Sequence, residues 1–304
     1  MKVLRADVLG LCFGVRDALD IVRRIEHPRD ATIHGALVHN EIVLTQLDQR
    51  GFHMTEERHR DQLPLTAEVV ITAHGVSEAE RRRLEAAGKR LIDTTCPLVR
   101  RVHAAARELA REGRHLIVVG RKSHIEVRGI VEDLTACDIV ESVSDVRRYA
   151  SDRLGAVCQT TTPPDVARQI EIAIRAQNPQ ADLRWIETIC QPTRDRQVAL
   201  DRLLTLVEAM VVVGGVHSNN TRQLVERCRK SHVPVCQVQS ASDVDPGWFA
   251  NFATVGLTAG TSTLDETIEE VYQVLRRLPE GVAHDSKLRE CWSRQKSASE
   301  RKPV

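Results

Sequence analysis

Three of the eight cysteines in this 304-residue chain stand where an amphipathic helical pattern begins. Cys12 opens CFGVRDALDIVRRI, Cys96 opens CPLVRRVHAAARELA and Cys190 opens CQPTRDRQVALDRLLTLV. Val15, Ala18, Leu19, Val22 and Ile25 keep helical spacing in the first, as do Leu98, Val102 and Leu109 in the second and Leu200, Leu203, Leu204 and Val207 in the third. A cysteine at such a start faces the positive end of the helix dipole, which favours the thiolate, the form that ligates metal. Three converging thiolates suit a [4Fe–4S] cube, in which one iron lacks a protein thiolate and stays open to a substrate oxygen. Zinc on three thiolates is the metal alternative. The plainest alternative is three small buried side chains without chemistry, the reading that fits Cys137, Cys158, Cys228, Cys236 and Cys291. No CxxC pair occurs, which removes zinc fingers and ribbons, and a disulfide framework does not suit a chain of this length in a reducing compartment.

A second set of residues could handle an anion. His39, His74, His124, Ser218, Asn220 and Ser262 each follow an apolar, strand-like run, with Thr160 in the equivalent place between them. Imidazole, hydroxyl and amide groups orient a polyanion as well as neutralise it, and several of these loops run into helix N-termini that add backbone N–H donors. No Walker A or GxGxxG segment is present, so an ordinary nucleotide site is not indicated. Glu126, two residues after His124, is a carboxylate able to deliver a proton to a departing hydroxyl; capping a helix start is its alternative role. His27, His53, His59, His115, His232 and His284 read as surface or loop residues, and His34 and His217 carry no assignment.

The elements that must position these groups repeat. The three cysteines are 84 and 94 residues apart, and His39, His124 and Ser218 follow them by 27, 28 and 28 residues. Each unit then carries a further strand ending in small polar residues (VVITAHGVS, GAVCQTTTP, TVGLTAGTS) and another helix. The first two close on similar strands, KRLIDTTC and LRWIETIC, ending on the next cysteine. The third has no such strand, and KVLRADVLGLC at the chain start resembles the missing piece. Strands alternating with helices predict three similar α/β domains with mostly parallel sheets, and ligands in such sheets bind beyond the strands' carboxyl ends. A pseudo-threefold arrangement would bring the cysteines and polar loops to one centre. The expected domains are 12–95, 96–189 and 190–280, with 1–11 joining the third sheet and 281–304 a polar, disordered tail.

Forty-three basic and 42 acidic residues nearly cancel, which argues against nucleic acid or an anionic membrane as the main partner. Apolar runs such as Leu116–Val119 fall far short of the roughly 20 residues that span a bilayer, and MKVLRADV lacks a signal-peptide core. A cytoplasmic protein is expected.

With these residues in view, the sequence closely resembles the 4-hydroxy-3-methylbut-2-enyl diphosphate reductase family, which closes the methylerythritol phosphate route to isoprenoids. GLCFGV, VHN (38–40), AHGVS (73–77), DTTCPLV (93–99), HIEVRG (124–129), QTT (159–161), Cys190 with a downstream RQ, HSNNT (217–221) and TAGTS (258–262) carry the match, across roughly residues 2–278. The resemblance implies a trefoil-like fold around a central [4Fe–4S] cluster ligated by Cys12, Cys96 and Cys190. It implies that His39, His74, His124, Ser218, Asn220 and Ser262 hold the diphosphate, with Asn219 beside them where the family often has a small residue. Thr160 would lie near the substrate hydroxyl, and Glu126 would start the proton relay, with His124 also counted among the catalytic groups. The open iron would bind the alcohol of this small allylic diphosphate. Two electrons, from a ferredoxin- or flavodoxin-type donor, and two protons would remove the hydroxyl as water, giving isopentenyl and dimethylallyl diphosphate. Leu11 stands where a Phe is common, Ile125 where a Pro is frequent, and Arg121 and Lys122 add charge near the site; the Ile125 change could loosen the turn that aims Glu126. A paralogue acting on another allylic diphosphate, an iron–sulfur hydro-lyase and a redox sensor are the competing readings.

Overall fold

The computed structural model describes residues 1–279; the tail expected over 281–304, with His284 and Cys291, lies outside them. In chain order the regular elements are β1 (Lys2–Arg5), α1 (Phe13–Arg23), β2 (Ala31–His34), α2 (Glu41–Gln49), β3 (His53–Thr55), β4 (Glu68–Ile71), α3 (Glu78–Ala86), β5 (Arg90–Asp93) and α4 (Pro97–Arg111). There follow β6 (His115–Val119), α5 (Ile125–Val131), β7 (Cys137–Val140), β8 (Arg153–Cys158), α6 (Pro164–Gln177), β9 (Asp182–Ile186) and α7 (Gln191–Leu204). The last are β10 (Ala209–Val213), α8 (Asn219–Lys230), β11 (Val235–Val238), β12 (Thr254–Ala259) and α9 (Asp265–Arg277).

The strands form three four-stranded sheets with the same order: β3-β2-β4-β5, β7-β6-β8-β9 and β11-β10-β12-β1. Every pairing is parallel. In the third sheet β1 takes the edge held elsewhere by β5 and β9, with Val3 opposite Val255 and Arg5 opposite Leu257. The central strands are buried, β2 and β10 wholly and β4, β6, β8 and β12 from their second residue on, because helices cover both faces. Helix α4 shows the logic: Val102, Ala105, Ala106 and Leu109 make one buried stripe against β6 and β8. Among the described residues no helix is long and apolar enough to cross a membrane.

The three units are stitched together at their polar loops. The Cys12 N–H donates to Thr261 O, the Cys96 N–H to Ala73 O and the Cys190 N–H to Thr160 O, at 3.0, 3.1 and 2.9 Å. The same bond thus holds each cysteine against the strand-end loop of its own sheet. Asn40 Nδ2 donates to Ser262 O at 2.7 Å across the first and third units. Asp133 of the second accepts the Glu78 and Ala79 N–H groups that open α3 in the first.

Candidate active site

Cys12, Cys96 and Cys190 are the N-cap residues of α1, α4 and α7, and in none does the sulfur cap its helix. They line one cavity of about 80 Å³ together with His39, His74, His124, Glu126, Thr160, Ser218, Asn219, Asn220 and Ser262. All twelve residues singled out in the sequence therefore meet in one place. The approach is close: a Cβ on Gly14, in the first turn of α1, would collide with Cys96 Sγ.

One expectation about the cysteines needs correcting. At Cys96 and Cys190 the helix N-terminus does not by itself leave the thiol acidic. Burial pushes the Cys96 thiol up, and pushes Cys190 up to about 11. Desolvation outweighs the dipole here, so a thiolate at these positions needs a cation to face it.

The three histidines pack as a cluster, with ring centroids 4.5 Å apart for His39–His74, 5.2 Å for His39–His124 and 5.4 Å for His74–His124. Burial lowers the pKa of His39, lowers that of His74 well below the usual range and takes His124 to about 3. All three rings are thus neutral at neutral pH. Their ring nitrogens lie within 4.8 Å of one another, close enough to suggest a metal ion. His124, however, caps α5 by accepting the Glu126 N–H on Nδ1 at 3.1 Å, which leaves the ring proton on Nε2. A ring fixed as an Nε2–H donor suits an anion and not a cation. His39 Nε2 and His74 Nε2 are also buried without partners.

Glu126 is 2 % exposed, and its two oxygens are used unequally. Oε1 accepts the Thr160 N–H at 2.6 Å, and Oε2 pairs with the Thr160 hydroxyl at 2.8 Å. Burial raises its pKa to about 7, against the pull of both bonds. Oε2 therefore carries the proton when there is one. Ile125 occupies the first position of α5, and the aim of Glu126 is fixed by Thr160 and the His124 cap, so the missing proline does not free the turn.

The remaining loops are partly committed. Asn220 Oδ1 accepts the Thr261 N–H at 3.1 Å, and its Nδ2 is buried without a partner. Ser262 Oγ donates to His39 O at 3.1 Å, while Ser218 Oγ caps α8 through the Thr221 N–H at 3.3 Å. Asn219 lines the cavity, but its Nδ2 donates to Thr161 Oγ1 and its Oδ1 accepts from Arg222, both at 2.8 Å. That amide joins the second and third units. Thr161 and Asn40 were not legible as bridges, because each bonds to a residue far away in sequence. His34 lies elsewhere, paired with Glu80 at 2.8 Å. His217 and Arg121 line a larger neighbouring cavity of about 560 Å³ that shares His39 and His124 with the first. Lys122 lies 3.9 Å from Asp145, outside both cavities.

Relatives match nearly the whole chain. A 4-hydroxy-3-methylbut-2-enyl diphosphate reductase of Methylibium petroleiphilum is 39% identical over 282 residues, covering 91% of this chain and 85% of that protein. One from Ralstonia nicotianae is 37% identical and covers 91% and 87%. Among solved structures, the E-1-hydroxy-2-methyl-but-2-enyl-4-diphosphate reductase of Plasmodium falciparum superposes with a TM-score of 0.85 at 26% identity, over 97% of this chain and 99% of that one. The model of the LytB protein family matches residues 3–276, and the chain belongs to that family.

Proposed function

We propose that this chain removes the hydroxyl group of 4-hydroxy-3-methylbut-2-enyl diphosphate reductively, giving isopentenyl and dimethylallyl diphosphate. An electron pair and a pair of protons enter, the allylic C–O bond breaks, one proton leaves with the hydroxyl as water and the other ends on carbon. The names of the relatives supply the substrate and reaction class. The observation that carries them to this chain is the single cavity shared by three helix-start cysteines, three neutral histidines and the Glu126–Thr160 pair.

Cys12, Cys96 and Cys190 would hold a [4Fe–4S] cluster. The donor set fits: three thiols, one from each unit, with no sulfur spent on a helix cap. When bound, such a cluster supplies electrons and an iron able to take a substrate oxygen. His39, His74, His124, Ser218 and Asn220 would grip the diphosphate as neutral donors, since no Lys or Arg lines the cavity, and Ser262 would join them by turning its hydroxyl from His39 O to the anion. Asn219 would fix the wall between units. The acid form of Glu126 donates from Oε2 to Thr160 Oγ1, and Thr160 passes its own proton to the departing hydroxyl. The His124 cap holds that relay in place. A ferredoxin- or flavodoxin-type donor would deliver electrons in the cytoplasm, where an oxygen-sensitive open iron survives best.

The test is an anaerobic assay with a reduced dye and this substrate, with the products separated and identified. Dehydration without consumption of reductant would point to a hydro-lyase and overturn the reading.

A further inference from the structure

Arg196 is buried at 3 % exposure in the second turn of α7, six residues after Cys190. Its Nη1 donates to Pro192 O at 2.9 Å, and its Nη2 donates to Gly10 O. It therefore ties the turn after Cys190 to the loop before Cys12. Its Nε is buried with no partner. Among the described residues the other buried arginine, Arg60, is paired with Glu57 at 3.3 Å, and the less buried Arg114 is paired with Glu112 and Asp182 at 2.7 and 2.8 Å. Arg196 forms no ion pair with a carboxylate among the described residues. Its two anchors, Pro192 O and Gly10 O, each lie two residues from a cysteine, Cys190 and Cys12, and the nearby Asp195 is engaged by Gln191, whose Nε2 donates to Asp195 Oδ1 at 2.7 Å.

A guanidinium stays charged at physiological pH, and a buried charge without a counter-ion is strongly unfavourable. The anion that Arg196 lacks must come from the side of Cys12 and Cys190. We infer that Arg196 is the built-in counter-charge of the thiolate-held cluster, a positioning residue that stabilises its retention and raises its reduction potential. This rests on the cluster reading proposed above. A cluster carrying three thiolates is net negative, and becomes more so on reduction. A fixed cation beside two of those thiolates favours the reduced state over the oxidised one, so it eases electron uptake.

The test uses anaerobically purified full-length protein and the variants Arg196→Gln and Arg196→Lys. Iron and sulfide are counted, and the midpoint potential is read from a dye-mediated titration followed by electron paramagnetic resonance. Arg196→Gln should shift the reduced-to-oxidised ratio at fixed poise about tenfold toward oxidised, about 59 mV for one electron. Arg196→Lys, which keeps the charge but loses the fork, should stay near the parent protein. If Arg196→Gln fails to retain a cluster while Arg196→Lys does, the counter-charge is supported through retention. A normal potential in Arg196→Gln, or equal effects of both variants on potential or retention, would reduce Arg196 to a backbone staple and overturn the inference. A parent protein without iron would instead overturn the cluster reading itself.

Discussion

Glu126→Gln keeps the size of a side chain that is 2 % exposed and removes its ionisable proton. The amide oxygen can still accept the Thr160 N–H, and the Thr160 hydroxyl can rotate to meet the amide, so the wall of the cavity should survive. Burial raises the folded-state pKa from 4.5 to about 7. A carboxyl raised in this way favours the native state fully below about 4.5 and loses that contribution as pH climbs through about 7. At about 1.4 kcal/mol per pH unit, the loss amounts to about 3 kcal/mol across that window. Glutamine stays neutral throughout. Urea unfolding of both proteins at stepped pH should therefore show the variant gaining about 3 kcal/mol on its parent between pH 4.5 and the alkaline side of 7. Turnover should move the other way, falling about 10² to 10⁴-fold with cluster content unchanged. The parent's activity should decline above about pH 7, and the variant should lack that inflection. Near-normal turnover in Glu126→Gln, or a stability difference that ignores pH, would refute both the proton relay and the electrostatic reasoning behind it.

Serine at Cys12, Cys96 or Cys190 should abolish most activity and bound iron, whereas serine at Cys137, Cys158, Cys228 or Cys236, none of which lines the cavity, should leave iron content near normal by metal analysis. Gly14→Ala should do comparable damage without touching a cysteine, because its Cβ would occupy the space of Cys96 Sγ; iron counting after anaerobic purification checks this. Arg121→Ala should lower kcat/KM and flatten its dependence on salt while sparing kcat, because Arg121 lines the outer cavity and not the inner one. Leu109→Ala, at 0 % exposure beneath Gly155, should cost about 2–5 kcal/mol in urea unfolding through a cavity far from the chemistry.

The fold was readable in proportion to how much each element buries. The central strands Leu116–Val119 and Val211–Val213 and the helices after each cysteine carry unbroken apolar or periodic signals, because helices or sheets cover them on every side that matters. The edge strands β3, β7 and β11 were not apparent. They have three or four residues, lie half exposed and read as HMT, CDIV and VCQV, too short for any alternation to stand out. The absent last strand of the third unit was visible as a gap, and β1 occupies that edge. At the site, repeat position picked out Cys96, His124 and Thr160 as residues of equivalent loops, and the fold brings them to the lining of one cavity. Partners could not be. The bond from Asn219 to Thr161, the bond from Asn40 to Ser262 and the reach of Arg196 to Gly10 connect residues 58, 222 and 186 positions apart, and only the folded chain brings them together. The acidity expected of the Cys96 and Cys190 thiols also misled, since the dipole at a helix start is a local feature and the burial that overrides it is not.

The central claim is that Cys12, Cys96 and Cys190 hold an iron–sulfur cube at the meeting point of the three units. The most direct measurement is iron and acid-labile sulfide per chain after strictly anaerobic purification, with the visible spectrum recorded before and after exposure to air. The account predicts a brown protein with about four irons and four sulfides per chain that bleaches in air. A colourless anaerobic preparation carrying stoichiometric zinc would contradict it.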